Sequence, residues 1–446
     1  MFRKILIANR GEIALRIIRA CKEMGIKTVA VYSTADKDSL HVKYADESVC
    51  IGPPPSSKSY LNVSSIISAA EVTDSEAIHP GYGFLAENPN FVEICENCGV
   101  KFIGPTAENI NLLGNKKNAR KLVKGLGIPV LPGSDDIGDD ERELKKVAED
   151  IGYPVVLKAS FGGGGRGIKM VLSPAHLAQA YYQARQEAQA FFGDKDVYIE
   201  KYCENPKHIE FQVLADRFGN AVHLGERDCS IQRRHQKIIE EAPSIAVKSS
   251  MRKKIGEAVT KVLKEINYIN AATFEFLLTG KGEFYFMEVN TRIQVEHPVT
   301  EFVTGIDIIK EQIKIANGDK LKIKQEDIKI KGHSIEVRIN AEDPVNFRPS
   351  PGMITVYNKP GGINIRVDDF AYCGYKVQPF YDPLIAKLVV RDTNRIAAIN
   401  KLKSALSEFW IEGIKTNIPF LKRILSDSDY ALGHVDIGYI ARLLEK

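Results

Sequence analysis

Along the first hundred residues the apolar positions switch between two periods. Lys4-Ile-Leu-Ile-Ala is a short continuous apolar run, Glu12 to Met24 repeats at helical spacing, and Thr28-Val-Ala-Val-Tyr returns to strand. The succession predicts a βαβ unit, and hence an α/β domain with a parallel, doubly wound sheet. Ile13, Ile17, Cys21 and Met24 form the apolar stripe of the helix, while Arg16, Arg19 and Glu23 share another face that the pattern alone assigns to solvent. The turn Asn9-Arg10-Gly11-Glu12 carries one of the three glycines of a dinucleotide fingerprint, which disfavours NAD binding.

Beyond Gly104-Pro105 the pattern changes, and Asn115-Lys-Lys-Asn-Ala-Arg-Lys-Leu-Val opens a basic helix, so a boundary is expected near 114. The acidic turn-rich stretch Leu131-Pro-Gly-Ser-Asp-Asp marks a sub-domain beginning near 131, followed by a helix and the strand Tyr153-Pro-Val-Val-Leu-Lys-Ala-Ser. After Asn317-Gly318-Asp319 a Lys-rich connector leads into His333-Ser-Ile-Glu-Val-Arg-Ile-Asn, whose alternation starts a β-rich domain over 333–446. Helices are expected around 397–406 and 418–425.

Composition excludes more than it identifies. Of 446 residues, 44% are apolar and 26% charged, and the net charge of +4 is no electrostatic footprint for nucleic acid or an anionic membrane. There is no run of 18 apolar residues, and the N-terminus turns polar too soon for a signal peptide, so a cytoplasmic protein is expected. Seven scattered cysteines are no disulfide framework, and Cys95 with Cys98 lacks a second pair for zinc.

Chemistry concentrates in four places. Phe161-Gly-Gly-Gly-Gly-Arg-Gly167, after the strand bearing Lys158, can present backbone N–H groups to phosphates, but without the following Lys-Ser/Thr it is not a P-loop. A predicted hairpin sets Glu275 opposite Glu288, with Asn290 on the same face; such carboxylates need a cation between them, and hard oxygen donors suit Mg²⁺ or Mn²⁺. Continued strand parity through Arg292, Gln294 and Glu296 puts an anion site beside a base. His208, Glu210 and Gln212 alternate on one face, and Gln232-Arg-Arg-His-Gln-Lys237 is densely basic; with the glycine loop these can ring a triphosphate. Arg338 is read either as catalytic or as paired with Asp382, and Cys229 as a packed thiol.

Four longer stretches then carry a resemblance. Ile7-Ala-Asn-Arg-Gly-Glu-Ile-Ala14, His79-Pro-Gly-Tyr-Gly-Phe-Leu-Ala-Glu-Asn88, Glu226-Arg-Asp-Cys-Ser-Ile-Gln-Arg-Arg-His-Gln-Lys237 and Glu288-Val-Asn-Thr-Arg-Ile-Gln-Val-Glu-His-Pro-Val-Thr-Glu301 closely resemble the biotin carboxylases. The resemblance covers nearly the whole chain. It implies an ATP-grasp fold with a pre-ATP-grasp domain (1–113), an ATP-grasp domain (114–332) with a mobile lid at about 131–203, and a C-terminal carboxylase domain (333–446). It also implies that ATP and bicarbonate give carboxyphosphate, from which biotin on a biotin carboxyl carrier protein is carboxylated.

By this resemblance Lys116, Lys158, Gly164, Gly165, His208, Gln232 and His235 contact the nucleotide, and Glu200, Lys201 and Cys203 hold adenine. Glu275, Glu288 and Asn290 bind metal. Lys237, Arg292, Gln294 and Val295 hold bicarbonate or carboxyphosphate, Glu296 is the base, and Arg338 stabilises the biotin enolate. Arg16, Arg19, Glu23 and Arg366 match a homodimer interface, which moves the helix face from solvent to a second copy. The sequence departs from the family at Cys203, where Leu is usual, and at Ile363, where an aromatic residue is frequent. The Ala-Met-Lys-Met signature of a biotin carrier domain is not found, so carrier and carboxyltransferase subunits are expected as separate partners, most readily in acetyl-CoA carboxylase and fatty-acid synthesis; a subunit-type pyruvate or acyl-CoA carboxylase, or a different ATP-grasp ligase, is the alternative.

Overall fold

The computed structural model describes residues 1–134, 141–160 and 167–445. Strands Lys4–Ile7 (β1), Lys27–Ser33 (β2), Glu47–Gly52 (β3), Ala77–His79 (β4) and Lys101–Phe102 (β5) form a parallel sheet in the order β3-β2-β1-β4-β5. The helix Gly11–Glu23 buries Ile13, Ile17 and Cys21 as the periodicity predicts. Arg16 departs from its solvent assignment. It is only 7% exposed, because Glu301 and Asp307 receive its guanidinium at 3.0 and 2.6 Å.

Four short strands, Gly133–Ser134 (β6), Val155–Ala159 (β7), Ile168–Val171 (β8) and Val197–Lys201 (β9), make a separate antiparallel sheet in the order β6-β9-β7-β8. Its apolar face packs with the helices Glu141–Ile151 and Leu177–Phe192 in a core of its own, including Leu144, Leu157, Leu177 and Ile199. The expected lid is thus a small independent two-layer unit.

The remaining strands build one long antiparallel sheet. Lys207–Ala215 (β10), Ala221–Arg233 (β11), Gln236–Ala242 (β12), Asn270–Leu278 (β13) and Phe284–Asn290 (β14) come from the central region, and His333–Asn340 (β15) from the C-terminal region. Two small ribbons follow, Gly352–Met353 (β16) with Lys376–Val377 (β19) and Val356–Asn358 (β17) with Trp410–Glu412 (β21). With Ile365–Asp369 (β18) and Leu384–Asp392 (β20), the large sheet reads β14-β13-β10-β11-β12-β15-β20-β18. It runs unbroken past the boundary expected at 332/333, since β12 pairs with β15 from Ile239↔Val337 to Ala242↔Ser334.

The alternation of β13 and β14 explains how one sheet serves two purposes. Phe274, Phe276 and Phe286 join Phe211 in a buried aromatic cluster, with Phe211–Phe276 and Phe276–Phe286 ring centroids at 5.9 and 6.1 Å. The residues between them turn to the opposite face. In the C-terminal region Ile335, Val337 and Ile339 face a core built with the helices Arg395–Glu408 and Ile418–Ser426, which leaves Glu336 and Arg338 on the other side. No helix among the described residues is long and apolar enough to cross a membrane.

Candidate active site

A cavity of about 720 Å³ opens between the parallel domain and the large sheet. Its floor comes from β10, β11, β12, β13 and β14, through His208, Gln232, Lys237, Glu275, Glu288 and Asn290. Lys116 and Lys158 enter from one end, Arg292, Gln294, Val295 and Glu296 from a connecting loop, and Arg338 from β15. Asn9 to Glu12 and Tyr82 to Phe84 close it from the parallel domain.

The hairpin has the register that the sequence predicts, with Glu275 directly opposite Glu288 and a bulge immediately after Glu275. A buried carboxylate, Glu275, set against the half-buried Glu288 requires positive charge. Lys237 lies 3.1 Å from Glu275, and His208 Nε2 lies 2.9 Å from it without the alignment of a hydrogen bond; Lys116 holds Glu288 at 2.6 Å. Burial alone would raise the Glu275 carboxyl, but Lys237 and His208 outweigh it and hold Glu275 well below the ordinary range. Asn290 and Gln294 each donate an amide N–H to Glu275 at 2.9 Å. The donor set of Glu275, Glu288 and the Asn290 carbonyl, all hard oxygens facing the cavity, fits Mg²⁺ or Mn²⁺.

Strand parity fails beyond Asn290. Residues 291–295 are a loop, because Glu87 reaches across from the parallel domain to take the Thr291 N–H and the Arg292 guanidinium, each at 2.9 Å. Arg292 also donates to Gln294 at 2.7 Å and to Asn290 at 3.0 Å, so its head is fixed beside the carboxylates by a loop rather than a strand. Glu296 is not on a strand either; it directly precedes the helix His297–Thr304. Lys387, fully buried on β20, secures the same loop by donating to the Val295 carbonyl at 2.8 Å, and its ammonium lies 3.1 Å from Glu12 of the parallel domain.

Glu296 is 1% exposed and lies between two cations, Lys237 at 2.6 Å and Arg338 at 3.0 Å. Burial pushes its carboxyl upward, yet Lys237, Arg338 and Arg227 hold it well below the usual range, so it is ionised. Lys237 also meets Glu210 at 2.6 Å, and its three carboxylate neighbours overcome burial to raise its ammonium well above the ordinary lysine value. Cys229 places its Sγ 3.9 Å from Glu296; burial pushes the thiol well up, so it stays protonated and packs as expected.

Arg338 is not paired with Asp382. Its partners are Glu240 on neighbouring β12, at 2.6 Å, and Glu296; Asp382 instead accepts the Leu384 N–H at 2.8 Å within its own turn. The face of β15 opposite the apolar core points Arg338 into the site, which puts β12 within its reach.

Other predicted residues stand apart from the cavity wall. Glu200 binds Lys158 and Arg120, each at 2.6 Å, and the Lys201 amine donates to the carbonyls of Gly152 and Tyr153 at 2.8 and 3.0 Å. Cys203 is half-buried just beyond β9. Gly164 and Gly165 lie outside the described residues. Arg16, Arg19, Glu23 and Arg366 line a second, shallower cavity of about 390 Å³, where Arg366 holds Glu301 and Asp368 at 2.6 Å each. Sequence reasoning missed Glu87 and Glu240, and it saw Glu210 only as part of an alternating face. These residues orient Arg292, Arg338 and Lys237, and no local pattern links them to those partners.

Comparison with known proteins gives three matches along the chain. Residues 1–110 match the biotin carboxylase N-terminal domain, 115–324 the carbamoyl-phosphate synthase L chain ATP-binding domain, and 336–442 the biotin carboxylase C-terminal domain. A biotin carboxylase of Haemophilus influenzae is 55% identical over 100% of this chain and 99% of its own. The structure of a Campylobacter jejuni biotin carboxylase in complex with β,γ-ATP superposes with a TM-score of 0.97 at 52% identity, covering 99% of both chains. The biotin carboxylase domain dimer of Hydrogenobacter thermophilus 2-oxoglutarate carboxylase, solved with MgADP, ADP and bicarbonate, gives 0.96 at 50% identity over 100% of this chain and 99% of that one. An ATP-binding core shared with carbamoyl-phosphate synthesis leaves the reaction open, but the domains on either side of it are specific: the chain belongs to the biotin carboxylase family and is an ATP-grasp ligase.

Proposed function

We propose that the chain activates bicarbonate with ATP as carboxyphosphate and carboxylates the ureido nitrogen of biotin on a biotin carboxyl carrier protein. The observation that carries this reading is Glu296, an ionised carboxylate between Lys237 and Arg338 in the same cavity as Arg292 and Gln294. Arg292, Gln294, Val295 and Lys237 hold bicarbonate, and Glu296 accepts its proton, for which the carboxylate must be ionised beforehand. Lys116, Lys158, His208, Gln232 and His235 hold the nucleotide, with Gly164 and Gly165 over its phosphates and Glu200, Lys201 and Cys203 at the base. Glu275, Glu288 and Asn290 hold Mg²⁺ or Mn²⁺, which when bound offsets phosphate charge. Arg338 stands where negative charge develops on the biotin oxygen, and a fixed cation there lowers the barrier.

The same reading extends to the assembly. A homodimer formed through Arg16, Arg19, Glu23 and Arg366 is supported by the mixed charge of that face, which can be self-complementary about a two-fold axis. Carboxyltransferase subunits would take the carboxyl group on to acetyl-CoA in the cytoplasm.

The test is ADP release from Mg-ATP with and without bicarbonate and free biotin, in the wild type and in Glu296→Ala. Release that needs bicarbonate, rises with biotin and falls at least about a hundredfold in the variant is the expected result. Release indifferent to bicarbonate, or unchanged in the variant, overturns the reading.

A further inference from the structure

Behind Arg338 lies a pair of carboxyl groups that the reaction as described does not use. Glu240 on β12 and Glu336 on β15 are directly opposite in the sheet register, and both are fully buried. Arg338 occupies one oxygen of Glu240. The other Glu240 oxygen and both Glu336 oxygens have no hydrogen-bond partner among the described residues. Side chains facing one another across antiparallel strands have Cβ atoms about 5 Å apart, and two carboxyl groups so close and shut off from bulk solvent do not both ionise.

We infer that the Glu240–Glu336 pair binds a single proton, carried by Glu336, and that Glu336 is a positioning residue: by staying neutral beside Glu240 it leaves Glu240 ionised as the partner of Arg338. The surroundings support this assignment. The charged groups facing the pair are Lys387 from β20, Lys237 on β12, Arg338 on β15 and Glu296. The nearby His297 is fully buried, and burial lowers its imidazole to about 3, so it is neutral. Glu301 of the same helix is engaged by Arg16 and Arg366, and the Lys387 ammonium is turned to Glu12 and the Val295 carbonyl. Desolvation then dominates, raising Glu336 well above the ordinary carboxyl range and Glu240 to about 7.

The proton has a consequence for Arg338. Its guanidinium already faces Glu240 and Glu296, and a third negative charge from Glu336 would further weaken the positive field needed at the biotin oxygen. Losing the proton at alkaline pH therefore weakens biotin carboxylation more than the earlier activation of bicarbonate. This inference rests on the role of Arg338 proposed above.

The experiment compares wild type, Glu336→Leu and Glu336→Gln. It measures biotin-dependent carboxylation and bicarbonate-dependent ADP release without biotin, each from about pH 6 to 9.5. The expected wild type shows an alkaline fall in the biotin-dependent rate that the biotin-free rate does not share. Leu lowers the biotin-dependent rate at least about tenfold, and Gln, the isostere of the protonated acid, restores it and flattens the alkaline fall. Difference infrared spectroscopy of the wild type shows a protonated-carboxyl band lost over the same range and missing in Glu336→Gln, a readout that stands even if the Leu variant does not fold. An alkaline fall unchanged in Glu336→Gln, or no such band, overturns the inference. A wild type without bicarbonate-dependent release overturns the functional reading instead.

Discussion

Lys237 shows how tightly single residues at this site depend on one another. One ammonium, 12% exposed, meets Glu210, Glu275 and Glu296. Removing it in Lys237→Met leaves three buried carboxylates undercompensated, a loss of about 3–5 kcal/mol by the usual cost of breaking a buried pair. The pH dependence has a definite sign. Glu275 and Glu296 have depressed folded-state values, so their contribution to stability is present above the unfolded carboxyl value of about 4.3 and is lost as pH falls below it. Denaturant titration should therefore show the variant's deficit largest near neutrality and shrinking in acid, where protonated carboxyls no longer need the cation. Glu275, Glu288 and Asn290 were legible in the sequence, since a two-residue alternation around an obvious turn places them. Glu87 and Glu240 were not, because they act on residues distant in the chain, and only the folded molecule supplies the partner.

Among the elements, the β13–β14 hairpin was legible in its register, while the loop after it was read as more strand, because Glu87 competes for the backbone N–H that a ladder would use. The β11–β12 hairpin has a different lesson. Its tip is two residues, Arg234 and His235, between the paired Arg233 and Gln236, and both adopt positive φ of 50° and 64°. A tight turn of this kind suits strand twist but strains side chains with a Cβ. The sequence lacks the Asn-Gly or Asp-Gly signal, and the stretch read as merely basic. Arg234 is exposed, so Arg234→Gly should relieve the strain and stabilise the fold by roughly 1 kcal/mol, seen as a higher melting temperature. No rise in melting temperature would show that the turn is unstrained.

For the whole molecule, the sequence conveyed the class of each region but not their joining. The parallel domain followed from its apolar runs, and a sub-domain beginning near 131 from its turn-rich acidic stretch, while its being a lid came only from the family resemblance. The continuity of the large sheet across 332/333 was invisible, because β12 and β15 are separated by three α-helices, a hairpin and a connector, and either strand alone reads as an edge. Lys387 compounds the union by tying Glu12 and Val295 to β20.

That seam has a practical corollary for anyone who would take the protein apart. A nick in the connector near Lys329 leaves each half with a bare row of backbone donors and acceptors, at β12 on one piece and β15 on the other, and such rows adhere to whatever strand they meet. Produced separately, the halves should precipitate or stay unfolded; produced together, they should zip along Ile239–Ala242 and recover bicarbonate-dependent ATP turnover, as a split reporter does. Soluble, folded halves that ignore each other would refute the idea. The lid, whose four strands make no ladder with the long sheet, should by contrast tolerate wide excursions without loosening that seam.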